Sequence, residues 1–358
     1  MNPEGTVTDT KGSADAVSVL SGHPRLILEA GNCRNNLGWA TNAVAEAAFL
    51  GAWGFKVQMY RPETLVSSDA LTYGEAALQE PAYQAEAFAG PVPYRQWMPI
   101  KELCDEYGLT FFASVFDFEA VEACEYMRVG WYKIASADIT HRPLIDRVAH
   151  TGKPIILSTG GATLGEVQDA LDWIGHDQVV LLACSLHYPS TRQEANLSRM
   201  WALAGFGLPV GYSNHVPDIE AVRSAIELGA VMVETHFTIT PGVGGDHNFG
   251  FTPAQLQDWN KPPADPFDDL FGLPYMGPHP GEELAVRRAR RSLHTVREKA
   301  RGGMWRWDDF AYLRPGDGVP PYAAFDLVGR KVHGRYRAGD RVVPAELWEN
   351  PPEVLLPG

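Results

Sequence analysis

Short apolar runs alternate along this chain with segments whose apolar positions recur at helical spacing. The runs Leu26–Gly31, Phe55–Tyr60, Thr110–Phe116, Trp131–Ser136, Pro154–Thr159, Val179–Ser185, Pro209–Ser213 and Ala230–Phe237 read as strands. Helical patterns fall at Trp39–Ala52, Met98–Tyr107, Glu119–Met127, Pro143–Ala149, Leu164–Ile174, Leu197–Ala204 and Asp218–Leu228. Eight strands alternating with these helices predict an α/β fold, a (β/α)8 TIM barrel over residues 25–260. An open doubly wound sheet is the runner-up, but no GxGxxG follows the first strand.

Residues two apart on a strand share a face. Phe55 and Val57 are apolar and belong against the outer helices, which sends Lys56 and Gln58 inward. The same parity aims Glu29, Lys133, Ser158, Ser213, His215, Glu234 and His236 at one interior. Burying even neutral polar groups without partners costs about 2–7 kcal/mol, so such a set must be satisfied by a ligand or by itself. Two lysines with hydroxyls make an anion cradle. A carboxylate beside two imidazoles suits a divalent ion such as Mn, Fe, Co or Zn.

Past Pro253 the pattern changes. Residues 261–292 are linker-like, with Lys261-Pro-Pro-Ala-Asp-Pro266 and Gly277-Pro-His-Pro-Gly281, and the basic run Arg287–Arg291 reads as a solvated face. Residues 293–358 hold a loose repeat: Ala300–Phe310 resembles Tyr336–Leu347, each with a Gly turn, a short strand and an acidic helical start. A small, mostly β domain is expected there. Residues 1–24 are polar and small, and read as a disordered extension without the basic-then-apolar order of a signal peptide.

Composition narrows the function classes. A net charge of −14 argues against nucleic acid as the main partner, and no apolar run is long enough to span a bilayer. Cys33, Cys104, Cys124 and Cys184 are scattered without CxxC spacing, so a reducing cytoplasm is the expected location. Lysine is scarce, at 8 of the 30 basic residues, which makes a lysine inside a strand informative.

The segments Tyr132-Lys-Ile-Ala-Ser136, Gly152-Lys-Pro-Ile-Ile-Leu-Ser-Thr-Gly160, Tyr188-Pro189, Gly211-Tyr-Ser-Asn-His215, Glu234-Thr-His-Phe-Thr238, Gly245-Asp-His247 and Leu313-Arg-Pro-Gly316 together resemble the sialic acid synthase family. The resemblance runs from about residue 25 to 348. It implies a TIM barrel joined to a C-terminal SAF (antifreeze-like) domain, in a domain-swapped homodimer. The implied reaction joins phosphoenolpyruvate to the open-chain aldehyde of an N-acylated amino sugar, giving a nonulosonic acid and phosphate. Carried over by motif, His215 and His236 ligate a divalent metal, Mn2+ being usual, and Glu29 sits beside the metal and the aldehyde. Lys56, Ser114, Lys133, Ser136, Ser158 and Ser213 hold phosphoenolpyruvate. Gln58, Tyr188 and Asp246 face the sugar, with Asp246 or Glu29 serving the water that attacks C2. Arg314 reaches into the neighbouring subunit's site.

Four positions depart from the family pattern. Asn32-Cys-Arg-Asn35 replaces Asn-His-Asn-Gly, Asp138 stands for a common Glu at the substrate site, Leu186 for an Asn, and Gly250 for a Ser. These changes point to an acceptor other than plain N-acetylmannosamine. A related phosphoenolpyruvate–aldose condensing enzyme, one with a phosphorylated acceptor included, and a catalytically silent sugar-binding paralogue are the competing readings.

Overall fold

The computed structural model describes residues 20, 23–73, 82–243, 245–264, 268–273, 276–350 and 357. Most of the expected N-terminal extension lies outside them. Eight parallel strands close into one barrel: β1 Arg25–Glu29, β2 Gly54–Met59, β3 Thr110–Val115, β4 Tyr132–Ile134, β5 Ile155–Ser158, β6 Val179–Ala183, β7 Val210–Asn214 and β8 Met232–His236. Pairing of β8 with β1 completes the ring and excludes the open sheet.

The connecting helices include α1 Leu37–Phe49, α2 Met98–Glu106, α3 Phe118–Tyr126, α4 Arg142–Ala149, α5 Leu164–Ile174, α6 Arg199–Ala204 and α7 Ile219–Glu227. Their ends are set locally. Thr163 and Glu166 form a reciprocal cap at the start of α5, and Gly175 ends it in the left-handed region. Asn36, Asp117 and Asp218 cap α1, α3 and α7 through their side-chain oxygens.

Strand parity sorts the core as expected. Leu26, Leu28, Phe55, Val57, Ile134 and Leu157 join the layer between strands and helices. Ile27, Phe112, Ile156, Val180, Leu182 and Met232 turn inward and fill the lower barrel, with Trp53 and Trp131 beneath them. The filling is tight enough to demand a glycine. A Cβ on Gly211 would stand 2.3 Å from the Met232 carbonyl oxygen and 2.7 Å from the Leu182 side chain. Polar residues therefore have only the upper, carboxyl end of the barrel left to them.

Residues 280–289, expected as linker, form a turn and the helix α8 Glu283–Ala289. Beyond it, β9 Ser292–Thr295 pairs antiparallel with β10 Phe310–Leu313. A separate core gathers Leu293, Trp305, Phe310, Val319, Leu327, Tyr336 and Val342. The two repeat segments end in 3-10 turns, Trp307–Asp309 and Pro344–Leu347, rather than full helices. Each buries a carboxylate. Asp309 binds Arg297 at 2.7 Å and Lys299 at 2.5 Å, and Glu346 accepts from Tyr336 at 3.0 Å and the Gly334 amide at 2.7 Å. Two polar knots thus supplement a small apolar core.

Candidate active site

Strand register assembles the upper layer. Glu29 lies opposite Lys56 on one side and His236 on the other, Ser114 opposite Lys133, and Ser213 opposite Glu234. Their side chains meet above the apolar plug. Lys56 is ion-paired with Glu29, donates to Ser114 Oγ at 2.9 Å and lies 3.4 Å from Glu234. Lys133 reaches the same Glu234 oxygen at 3.2 Å, and so does Ser213 Oγ. Gln58 donates to Glu29 at 3.2 Å, and the Gly31 amide to Glu29 at 2.6 Å. Two ammoniums face two carboxylates, so the buried cluster is internally neutral.

The titration directions follow from that geometry. Burial penalises the charge on Lys56, but Glu234 and Glu29 outweigh it and hold the ammonium above its usual range. Lys133 is lowered, chiefly by burial, with Lys56 adding repulsion. Burial opposes the Glu234 charge, yet Lys133 and Lys56 leave it below the usual carboxylate range.

These residues floor a cavity of about 500 Å³, the size of a small-molecule site. Ser136 and Ser158 line it as well. Ser136 accepts from the Gly160 amide at 2.9 Å. Ser158 Oγ is buried and without a hydrogen-bond partner among the described residues, as a ligand-facing hydroxyl would be.

The histidines stand at one wall with ring centroids 5.3 Å apart. His215 Nδ1 donates to the Ser185 carbonyl at 2.5 Å, which leaves Nε2 with its lone pair. Burial, then the neighbouring His236, pushes His215 down to about 3, so it is neutral at pH 7. His236 has Nδ1 3.3 Å from Asp246, whose carboxylate raises it despite burial. Tyr188 packs over His215 at 4.1 Å between centroids. Two imidazoles and a nearby carboxylate suit a borderline divalent ion. Among the described residues no three His, Cys, Asp or Glu side chains form a ready cage, so such an ion would need ligands from substrate or water.

Arg314 also lines the cavity, 3% exposed, at the far rim. Its Nη1 lies 3.3 Å from the Tyr73 hydroxyl and 3.3 Å from Gln84 Oε1, and its plane borders Phe88 and Phe116. These partners are neutral, so the guanidinium charge remains free to meet an anion. In the single chain this arginine closes over its own barrel.

Asp138 is also placed differently from expectation. It is fully buried, away from the cavity, and ion-paired to Arg291 at 2.6 Å. Cys33 turns from the site into the core beside Ala30 and Val44, while its neighbours Asn32 and Asn35 line the cavity. Leu186 lines the cavity within an apolar group of Ala137, Tyr73, Tyr188 and Val286. Gly250 packs under His236, where a Cβ would sit 3.1 Å from the Asp246 carbonyl oxygen. Tyr73, Gln84 and Phe88 were not foreseen. The signal available was the length of the connection between β2 and α2, since long loops at the carboxyl face of a barrel carry function.

The NeuB family model matches residues 43–261. The chain belongs to the NeuB family. It is 30% identical to an uncharacterized protein of Methanocaldococcus jannaschii over 88% of this chain and 92% of that one. It is 30% identical to N,N'-diacetyllegionaminic acid synthase of Legionella pneumophila, over 91% and 94%. Of solved structures, the Bacillus subtilis spore coat polysaccharide biosynthesis protein SpsE superposes with a TM-score of 0.78 at 26% identity, covering 92% of this chain and 96% of that one. The NeuB match stops short of both Glu29 and Arg314, which the fold brings to the same cavity. No helix among the described residues is long and apolar enough to cross a membrane.

Proposed function

We propose that this chain condenses phosphoenolpyruvate with the open-chain aldehyde of an N-acylated amino sugar, releasing phosphate and forming a nonulosonic acid. The observation that carries this reading is one cavity with two lysines and four serines at its floor, two imidazoles on its wall and a guanidinium at its rim. The names of relatives such as the legionaminic acid synthase support the same class of reaction.

Lys56, Lys133, Ser114, Ser136, Ser158 and Ser213 hold the phosphate and carboxylate and fix the enol carbon against the aldehyde. A new C–C bond forms between them, and the aldehyde oxygen takes a proton. Water then adds to C2 as phosphate leaves. In this reading Glu29, held between Lys56 and the Gly31 amide, or Asp246, beside His236, takes the water's proton. Gln58, Tyr188 and Arg314 hold the acceptor. A divalent metal, Mn2+ in this reading, would be held by His215 and His236 and would supply Lewis-acid polarisation of the aldehyde.

The contacts that seat Arg314 would form equally well if the C-terminal unit came from a second, identical chain. A swapped homodimer is the proposed assembly. Incubation with phosphoenolpyruvate, Mn2+ and a panel of aldoses should release phosphate with an N-acylated amino aldose. Failure to release phosphate with any aldose of the panel, despite bound metal, would favour a silent sugar binder. Turnover only with phosphorylated aldoses would move the reading to that acceptor class.

A further inference from the structure

Of the basic run Arg287–Arg291, expected to be a solvated face, Arg287 is exposed, but Arg288, Arg290 and Arg291 are bound along the mouth of the barrel. Arg288 donates to the Thr72 carbonyl at 2.6 Å. Arg290 reaches Glu166 at 2.5 Å and the Gly161 carbonyl at 2.9 Å. Arg291 goes furthest: it is 2% exposed and spends every donor it has. Nε and Nη2 bind the two Asp138 oxygens at 2.6 and 3.3 Å. Nη1 binds the Thr64 and Tyr312 carbonyls at 3.0 and 2.9 Å, and Nη2 also binds the Phe116 carbonyl at 2.8 Å. A guanidinium has five N–H groups, so none remains for a substrate.

Where those acceptors lie gives the arginine its role. Thr64 and Tyr312 each stand two residues ahead of Val66 and Arg314, which pair as a parallel bridge. That bridge is carried by the Arg314 amide on the Leu65 carbonyl at 2.9 Å and the Ser67 amide on the Arg314 carbonyl at 3.0 Å. Phe116, the third carbonyl, belongs to the residue whose ring borders the Arg314 guanidinium. We infer that Arg291, held by Asp138, is a positioning residue that sets the register of the Arg314 segment against the barrel and so aims Arg314 at the acceptor. The inference rests on the proposed function for its kinetic readout, but its geometry does not.

The test compares Arg291→Lys, Asp138→Asn and Arg291→Met, alone and in an Arg314→Ala background. Lysine keeps the charge but offers three donors without the planar fork. In folded Arg291→Lys, KM for the acceptor should rise roughly 10- to 100-fold while KM for phosphoenolpyruvate stays near wild type. In the Arg314→Ala background the same change should alter kcat/KM by less than about twofold, because the residue it positioned is gone. An undiminished loss in that background, or an unchanged acceptor KM in folded Arg291→Lys, would overturn the inference. Should Arg291→Met fail to fold, the Lys and Asn variants still decide it. If the wild-type protein turns over no aldose, the function reading fails first, and a crystal structure of Arg291→Lys decides the clasp separately. Arg314 displaced from Tyr73 and Gln84 supports the inference, and Arg314 unmoved rejects it.

Discussion

The floor and the rim of the cavity are built by different means. At the floor, Lys56, Ser114, Lys133, Ser158, Ser213 and Glu234 sit on strands whose ladder bonds fix them to their neighbours. At the rim, Tyr73, Gln84 and Phe88 come from a long connection, Leu186 from a loop, and Arg314 from a separate unit held by arginine contacts. The floor is rigid and suits the part of the reaction common to every acceptor. The rim can change without disturbing that part, which is where the departure at Leu186 falls.

Substitutions separate the two regions. His215→Ala or His236→Ala should cut metal-dependent phosphate release by roughly a thousandfold. Calorimetry should show weakened Mn2+ binding, and full activity in either variant would remove the metal assignment. Lys56→Met should lower kcat by about a hundredfold or more. It should also destabilise the fold by about 3–5 kcal/mol in urea titration, because Glu29 and Glu234 lose their shared counter-charge. A floor variant with normal stability would mean the cluster is looser than its distances suggest.

Rim changes should be milder. Arg314→Ala should raise the acceptor KM, and mixing it with Lys56→Ala protein should restore some turnover if the C-terminal unit is exchanged between chains. No restoration in subunits shown to exchange would assign the site to a single chain. Leu186→Asn should shift preference between acceptors by about tenfold while leaving the phosphoenolpyruvate KM alone. The smallest effect belongs to Glu166. Burial disfavours its charge, but Arg290 and the Thr163 amide hold its pKa below the usual carboxylate value. A depressed folded-state pKa stabilises above the unfolded value and is lost as pH falls through the folded one. The stability gap between wild type and Glu166→Gln should therefore be under about 1 kcal/mol and flat near neutrality, and should close at acidic pH.

The floor was legible because period-two alternation is a local property, and the parity of Phe55 and Val57 alone sends Lys56 inward. The fold class was legible for the same reason. The rim was not. Tyr73, Gln84 and Phe88 lie in a connection without periodicity, and their neighbours are set by contacts more than 200 residues away in the chain, as between Gln84 and Arg288. Asp138 looked like a site residue because the resembled family commonly has Glu there, and only the Arg291 contact shows that its charge is already spent. The basic run misled for a related reason: no local signal distinguishes an arginine facing water from one facing backbone carbonyls.

The seam of the barrel carries one more consequence. Glu29 and His236 are strand partners, although 236 − 29 = 207 residues separate them. During synthesis the first of these exists long before the second, and the wall between carboxylate and imidazole is absent until β8 docks on β1. Pairings this distant in sequence form late and slowly. The ability to bind ligand should thus arrive in one step at the end of folding, and a chain truncated before residue 232 would hold both lysines and all four serines of the floor yet have no chamber to put them in.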